Sequence, residues 1–555
     1  MTIFRASIER RAGLAAAVLL CGLCFPVAAT QATSFGDIVG ELELHLDDQF
    51  SSPRSADERQ ELLALRQFYE GRGFQPAWLD GTGVTEQGGL LIQILSDTSA
   101  DGLLPENYAV EQIEGGRDSA TGAESLAALD FMMSRSLVHY GRDISAGRVQ
   151  PNKVDSEVFI YPDPVKSLDL LSEAASTSDL ERFLAELAPQ STNYKRLKWS
   201  LAEHRALAAR GGWSRLPEGE TLKPEMRDPQ VALLRQRLRE SGDLEGESDD
   251  PDLFDPDLEA AVKRFQARHG LDVDGAVGKM TRAALNVPVE ARIDQMLLNM
   301  ERRRWMPDDL GERYIFVNLA DFELKLVDGL KTVFDTRVVV GKPYHRTPVF
   351  SGEMTYLVIN PYWHVPPSIA RNEILPAVQK DVGYLAQKNF TVLSDWSGSA
   401  SKLDPLGIDW GGISKASLSY KFRQDPGDGN ALGRIKFMFP NQFNVYLHDT
   451  PARSLFSRTV RSFSHGCIRV QDPPGLAAVV LDGSDGWSQE KILSAIDSKQ
   501  RQIVRLEAAL PVHLTYLTAW VNKDGSVHFR DDIYGRDERL QKALARANVT
   551  GDLGR

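Results

Sequence analysis

The sequence predicts a multidomain α+β protein: a helical N-terminal half, a small three-helix unit, and a β-rich C-terminal domain interrupted by one long insertion. Three observations carry this reading. The chain has 555 residues, too many for a single hydrophobic core. Apolar residues recur at helical spacing as far as about residue 288. From Tyr314 onward the pattern changes to strand-like runs punctuated by turn residues.

Residues 1–32 read as an export signal. Arg5, Arg10 and Arg11 precede an apolar run from Leu14 to Val27, and Val27-Ala28-Ala29 or Thr30-Gln31-Ala32 offers small residues for cleavage. The run is short for a membrane span, and retention as an uncleaved anchor is the competing reading. Cys21 and Cys24 fall inside this segment, so their spacing is not taken as a redox or zinc motif. Residues 35–215 then read as a helical domain. Leu62, Leu65 and Tyr69 form a stripe, Gly71-Arg72-Gly73 stops it, and Phe74 to Leu79 follows as an aromatic loop or short strand. Further helices are expected around 124–141, 166–175, 178–187 and 193–210. No catalytic constellation stands out here, which suits a scaffold or docking role.

Residues 226–288 form the three-helix unit. Val231, Leu234 and Leu238 make one stripe, and Leu258, Ala261, Val262 and Phe265 another. Phe265-Gln266-x-x-His269-Gly270-Leu271 and Asp274-Gly275-x-x-Gly278-x-x-Thr281 follow, with glycines suited to helix ends and turns. Gln266 and His269 are read as structural. The β-rich domain spans 312–507. Its strands are expected at Tyr314–Leu319, Glu323–Val327, Phe334–Val340 and Thr355–Ile359, with a hairpin turn at Asp328-Gly329 and a last strand, Asn444–Leu447, leading into His448. Between 361 and 433 the strand pattern stops. Prolines, glycines and the aromatic residues Tyr362, Trp363, Trp396 and Trp410 fill this insertion, which is read as a lid. The stretch 473–507 looks helical, and 508–555 is read as a C-terminal hairpin (Leu514–Val521 with Val527–Phe529) and helix.

The chemistry centres on one thiol. With the export segment removed, Cys467 is the last of the three cysteines, within Ser464-His465-Gly466-Cys467-Ile468-Arg469. A lone thiol in an exported protein has no disulfide partner inside the chain. Its neighbours, His448, His465 and Arg469, are groups that activate a thiol whose ordinary pKa is ~8.5. Other classes are disfavoured. A formal charge of −13 does not suit a nucleic-acid binder. No later segment is long and apolar enough to span a bilayer. The ten histidines contain no H-E-x-x-H, so neither a metal nor a cofactor is expected.

Two of these runs resemble known families. The order of motifs in 226–288 is similar to the small peptidoglycan-binding domain found on wall enzymes. Ser464-His465-Gly466-Cys467-x-Arg469, with Tyr446-Leu447-His448 upstream, resembles the L,D-transpeptidase catalytic domain. Asn360-Pro361-Tyr362-Trp363-x-Val365-Pro366 and Asp532-Ile533-Tyr534-Gly535-Arg536-Asp537 extend the likeness to the large periplasmic L,D-transpeptidases of Gram-negative bacteria, which carry scaffold, peptidoglycan-binding and lidded catalytic domains. The resemblance implies that Cys467 is the nucleophile of a two-step acyl transfer on peptidoglycan tetrapeptide stems. D-alanine leaves, a thioester forms, and a second diaminopimelate amine completes a 3→3 cross-link.

Within that frame His448 is the expected base, since it comes from a separate strand end and a histidine titrates near neutrality. His465 is expected to orient the site and Ser464 to order the loop. The amides of Gly466 and Cys467, with the Tyr446 hydroxyl, are expected to form an oxyanion hole. Arg469 has two readings, a substrate carboxylate ligand or a brace for the loop. Trp363 is expected to touch substrate. Water or a protein amine as acceptor, or a silent wall-binding scaffold, are alternative functions. A glycan polymerase or a carboxypeptidase that supplies tetrapeptides is the expected protein partner.

Overall fold

Eight strands of the C-terminal half close on themselves, a ninth short strand pairs alongside, and the candidate site sits on that closed sheet. The computed structural model describes residues 35–550 apart from 54, 81, 484 and 485; the expected export signal lies outside the described residues. The strands are β1 (Arg313–Asn318), β2 (Glu323–Asp328), β3 (Lys331–Gly341), β4 (Phe350–Ile359), β5 (Ile435–Met438), β6 (Leu447–His448), β7 (Ser462–Ser464), β8 (Ile468–Val470) and β9 (Gln502–Thr515). Their spatial order is β7-β3-β8-β6-β5-β4-β9-β1-β2, and β2 pairs back onto β3. That last pairing satisfies backbone groups that an open edge would leave free. Alternation builds the core: in β2, Leu324 and Leu326 are buried while Glu323 and Lys325 are half-buried. Val317, Val338, Leu357, Phe437, Leu447 and Ile468 join them inside. The expected turn is present at Asp328-Gly329, where Gly329 takes φ +55°.

Two expectations for this domain fail. The boundary at 507 falls inside β9, which pairs with β4 and β1 near the middle of the sheet; the preceding helix ends at Asp497. The register of β9 against β4 shifts between Arg505 and Leu510, and that irregularity breaks the alternation a sequence reader relies on. The terminal hairpin is correspondingly shorter, Ala519–Val521 with Val527–Phe529.

The insertion is also more structured than expected. It carries a four-stranded sheet, with Lys421–Gln424 lying between Trp363–His364 and Phe390–Leu393, and Lys402–Leu403 at the edge. Short helical turns over 367–387 cover it. Val365, Ile374, Leu375, Val392, Trp410 and Phe422 form its own apolar core. Strands of two to four residues are too short to show a period, which is why the segment read as irregular. Its root joins β4 to β5, two antiparallel neighbours. There the Asn360 amide donates to the carbonyls of Ala495 and Ile496, both at 3.0 Å.

The N-terminal half is helical as expected, with long helices at Ala56–Gly71, Ala123–Ala146 and Thr192–Ala209. The first starts at Ser55, whose hydroxyl accepts the Glu58 N–H at 3.0 Å. Buried Asp130 accepts the N–H groups of Ala77 (3.0 Å) and Trp78 (2.8 Å), which pins the aromatic loop to the domain core. The three helices of the small unit span Pro229–Glu240, Pro256–Arg268 and Lys279–Leu285. His269 is structural, its ring stacked between Phe265 (3.8 Å) and Phe529 (5.7 Å) of the terminal hairpin. An unanticipated helix, Val289–Arg304, ties the parts together, although Ile293, Met296, Leu297 and Met300 carry a helical period.

The helical domain is stitched to the catalytic sheet at one seam. Phe159 N–H donates to Val349 O (2.8 Å) and Val349 N–H to Glu157 O (2.9 Å). Beside them, buried Arg536 meets the Asp155 carboxylate at 3.1 Å and the Thr347 carbonyl at 3.3 Å. Arg539 shares the Asp155 carboxylate at 2.8 Å, so only loss of both arginines leaves that buried charge uncompensated, at a cost of roughly 3–5 kcal/mol. Arg536→Ala together with Arg539→Ala is therefore expected to lower the unfolding free energy by that order and to shift the denaturant midpoint downward; an unchanged midpoint would show that the seam does not support the fold.

Candidate active site

Two short strands set the site. β6 and β8 run parallel, with Leu447 opposite Ile468 and His448 opposite Arg469. The inward residues Leu447 and Ile468 are fully buried in the sheet core. Side chains alternate along a strand, so Tyr446 and His448 share the opposite face with Cys467 and Arg469. Tyr446 is the residue that acts most on the thiol after burial: its backbone N–H and its hydroxyl both pull the Cys467 pKa down. The thiol itself points at the Asn444 carbonyl, 3.8 Å away. His448 stands diagonally from the sulfur, one step further along the strand. Its Nδ1 donates to the Asp449 carbonyl at 2.5 Å, which leaves Nε2 unprotonated and able to accept.

The electrostatics agree with that tautomer. Burial, followed by the Arg469 charge, pushes the His448 pKa down to about 3, so the ring is neutral across the physiological range. Burial pushes the Cys467 thiol up, while the Tyr446 hydrogen bonds and the charges of Lys436 and Arg469 pull it back. The resting site thus holds a thiol raised by burial and a neutral imidazole on the same face of the two paired strands.

The loop before Cys467 is ordered by Ser464, as expected. Its hydroxyl donates to the Cys467 carbonyl at 2.5 Å and accepts the Gly466 N–H at 3.1 Å. The second bond corrects the expectation for Gly466. Its amide is occupied and does not face an oxyanion, and what the position requires is φ +112°. The Thr347 hydroxyl holds this turn from below, donating to the Gly466 carbonyl at 2.8 Å.

His465 points away from the sulfur. Its Nε2 pairs with Glu373 at 2.9 Å, and its ring lies 5.1 Å from that of His345. Glu373 belongs to the insertion, on a π-helical turn spanning Ala370–Ile374, so this contact links the insertion to the site loop. Arg469 does not brace the loop. It lies beside His448 with its Nε buried and without a hydrogen-bond partner. Trp363 is half-buried in the root strand of the insertion, with its ring 6.1 Å from Phe390, where it packs against the insertion core. Lys436 was not singled out from sequence. It is the cross-strand neighbour of His448 on β5, and its ammonium lies 3.7 Å over the Tyr446 ring.

Sequence models of three domain families match the chain. Residues 63–201 match a scaffold domain, 227–285 a "Putative peptidoglycan binding domain", and 312–492 the L,D-transpeptidase catalytic domain. The chain carries an L,D-transpeptidase catalytic domain. Its lone thiol, Tyr446 and His448 all lie within the matched span. A curated relative from Haemophilus influenzae, described as a "Putative L,D-transpeptidase", is 34% identical over 255 residues, 46% of this chain and 50% of that protein. The aligned part thus spans about half the length of that relative. Among solved structures, an L,D-transpeptidase from Xylanimonas cellulosilytica is 16% identical, covering 54% of this chain and 99% of that one with a TM-score of 0.17. One from Stackebrandtia nassauensis is 14% identical, covering 56% and 98%, with a TM-score of 0.20.

The hydrogen bond from Tyr446 stabilises the thiolate, and bonds to charged groups are worth about 1.5–3 kcal/mol. Tyr446→Phe is expected to slow alkylation of Cys467 by iodoacetamide at pH 7 about tenfold or more and to move the pH profile of that reaction upward. Superimposable profiles would remove Tyr446 from thiol activation. In the wild-type chain the same profile is expected to show no step near 6.5, because His448 stays neutral there; a clear inflection at that pH would contradict its depressed pKa.

Proposed function

We propose that the chain is a periplasmic peptidoglycan L,D-transpeptidase that forms 3→3 cross-links between meso-diaminopimelate residues. The observation that supports this reading is the placement of Tyr446, a neutral His448 and Cys467 on one face of the paired strands β6 and β8. Cys467 attacks the L,D-amide between diaminopimelate and the terminal D-alanine. His448 takes the thiol proton as the S–C bond forms, then gives it to the leaving amine as the C–N bond breaks. The Cys467 N–H and Tyr446 hydroxyl receive the negative charge that develops on the carbonyl oxygen. A thioester and free D-alanine result. The side-chain amine of a second diaminopimelate then attacks the thioester, loses its proton to His448, and returns the thiol.

The acceptor must win against water. The insertion supports this, since it reaches the site loop through Glu373 and His465 and stands where it can cover the thioester. The three-helix unit would hold the chain on the wall, and the helical domain would dock a glycan polymerase or a carboxypeptidase that supplies tetrapeptides.

The test is mass spectrometry of the purified chain incubated with disaccharide-tetrapeptide, beside a Cys467→Ala variant. A 3→3 dimer with release of D-alanine, absent from the variant, is the expected outcome. Release of D-alanine without a dimer would transfer the acceptor role to water or a protein amine. A dimer that persists in Cys467→Ala would sink the thioester route.

A further inference from the structure

Three neighbouring strands place a line of side chains across one face of the sheet. Lys436 on β5 is registered with His448 on β6, and His448 with Arg469 on β8. Strands lie about 4.8 Å apart, so the two cations start about 10 Å from each other with His448 between them.

We propose that Lys436 and Arg469 form a carboxylate-binding subsite over His448, which seats the anionic end of the acyl donor beside Cys467. The proposal rests on the acyl-transfer reading above and adds to it the group that recognises the donor.

Four observations support the assignment. The Lys436 ammonium is held 3.7 Å over the Tyr446 ring, and its charge acts on the Cys467 thiol. Arg469 keeps its Nε buried and unpartnered, an arrangement that costs free energy unless a ligand completes it. Nearby carboxylates are committed elsewhere. Asp449 accepts the Arg434 N–H (2.7 Å) and pairs with Arg453 (2.7 Å), and Glu373 pairs with His465 (2.9 Å). Arg501 adds a third positive charge facing Lys436. Such a surplus of cations in a chain of net charge −13 is local rather than compositional.

The subsite fits a peptide that carries a free carboxylate close to the scissile amide. A stem ending in diaminopimelyl-D-alanine has two: the terminal carboxylate of D-alanine and the side-chain carboxylate of diaminopimelate.

The experiment uses the full chain and two probes of nearly equal size, iodoacetate and iodoacetamide. Their ratio of rates at Cys467 reports the local field on an anion, because the thiolate fraction cancels. Lys436→Met is expected to lower that ratio about five- to tenfold, as expected for loss of one unit charge a few ångströms away. Lys436→Arg is expected to restore it, which separates charge from folding. A ratio unchanged in Lys436→Met, or one that Lys436→Arg does not restore, would overturn the subsite. Steady-state turnover of three tetrapeptide stems then locates the recognised group. Lys436→Met should raise KM for the unmodified stem, and should leave KM unchanged for whichever stem has its recognised carboxylate amidated. An equal rise in KM for all three stems would also overturn the proposal. Turnover of none of them, with the probe ratio still responding to Lys436, would count against the acyl-transfer reading and leave the anion site standing.

Discussion

Everything at the site depends on a parallel pairing only two residues long, Leu447–His448 against Ile468–Arg469. Its inward members, Leu447 and Ile468, are locked in the sheet core, and the outward members have no freedom once those two are buried. A slip of one residue would turn His448 and Arg469 into the apolar core and carry Leu447 and Ile468 out of it. The pairing is therefore held by the hydrophobic core as much as by its own hydrogen bonds. The chemistry inherits its precision from residues that never meet a substrate.

A second set of contacts carries that rigidity outward. Thr347 supports the Gly466 turn, and the Tyr534 hydroxyl donates to the Gly341 carbonyl next to it (2.7 Å). Arg536 then ties the Thr347 carbonyl to Asp155 of the helical domain. Buried charge at this seam is a poor source of net stability, yet it fixes the geometry, since Arg536 and Arg539 converge on the one Asp155 carboxylate. The run Asp532 to Asp537 thus belongs functionally to the floor of the site, although it lies more than 60 residues beyond Cys467 in the chain.

What could be read from the sequence follows the range of the interactions. The loop around Cys467 was legible because its bonds are local: Ser464 reaches only to Gly466 and Cys467. The tautomer of His448 is local too, set by its own neighbour's carbonyl. Lys436 and Thr347 were not legible. Nothing in a short run tells that a lysine on a four-residue strand will stand beside His448, or that a threonine far upstream will hold Gly466. Gly466 shows a subtler limit, since the residue type announces an unusual φ but not which hydrogen bond its amide makes. Trp363 and Trp410 show another: an aromatic residue near a site serves a packed core as readily as a ligand. The long β9 was misjudged because its register shift interrupts the alternation that marks a strand.

The insertion has one more implication. A surface loop of about 70 residues would lose a great deal of conformational entropy each time it settled over a site. This one has already lost it, within its own sheet and core. It is joined to the barrel at two facing positions, Asn360 and Gly433, both with positive φ (+49° and +60°). Movement there changes a handful of dihedral angles and leaves the packed body intact. Were it to close over the thiol, the cost would scale with its hinge rather than with its length.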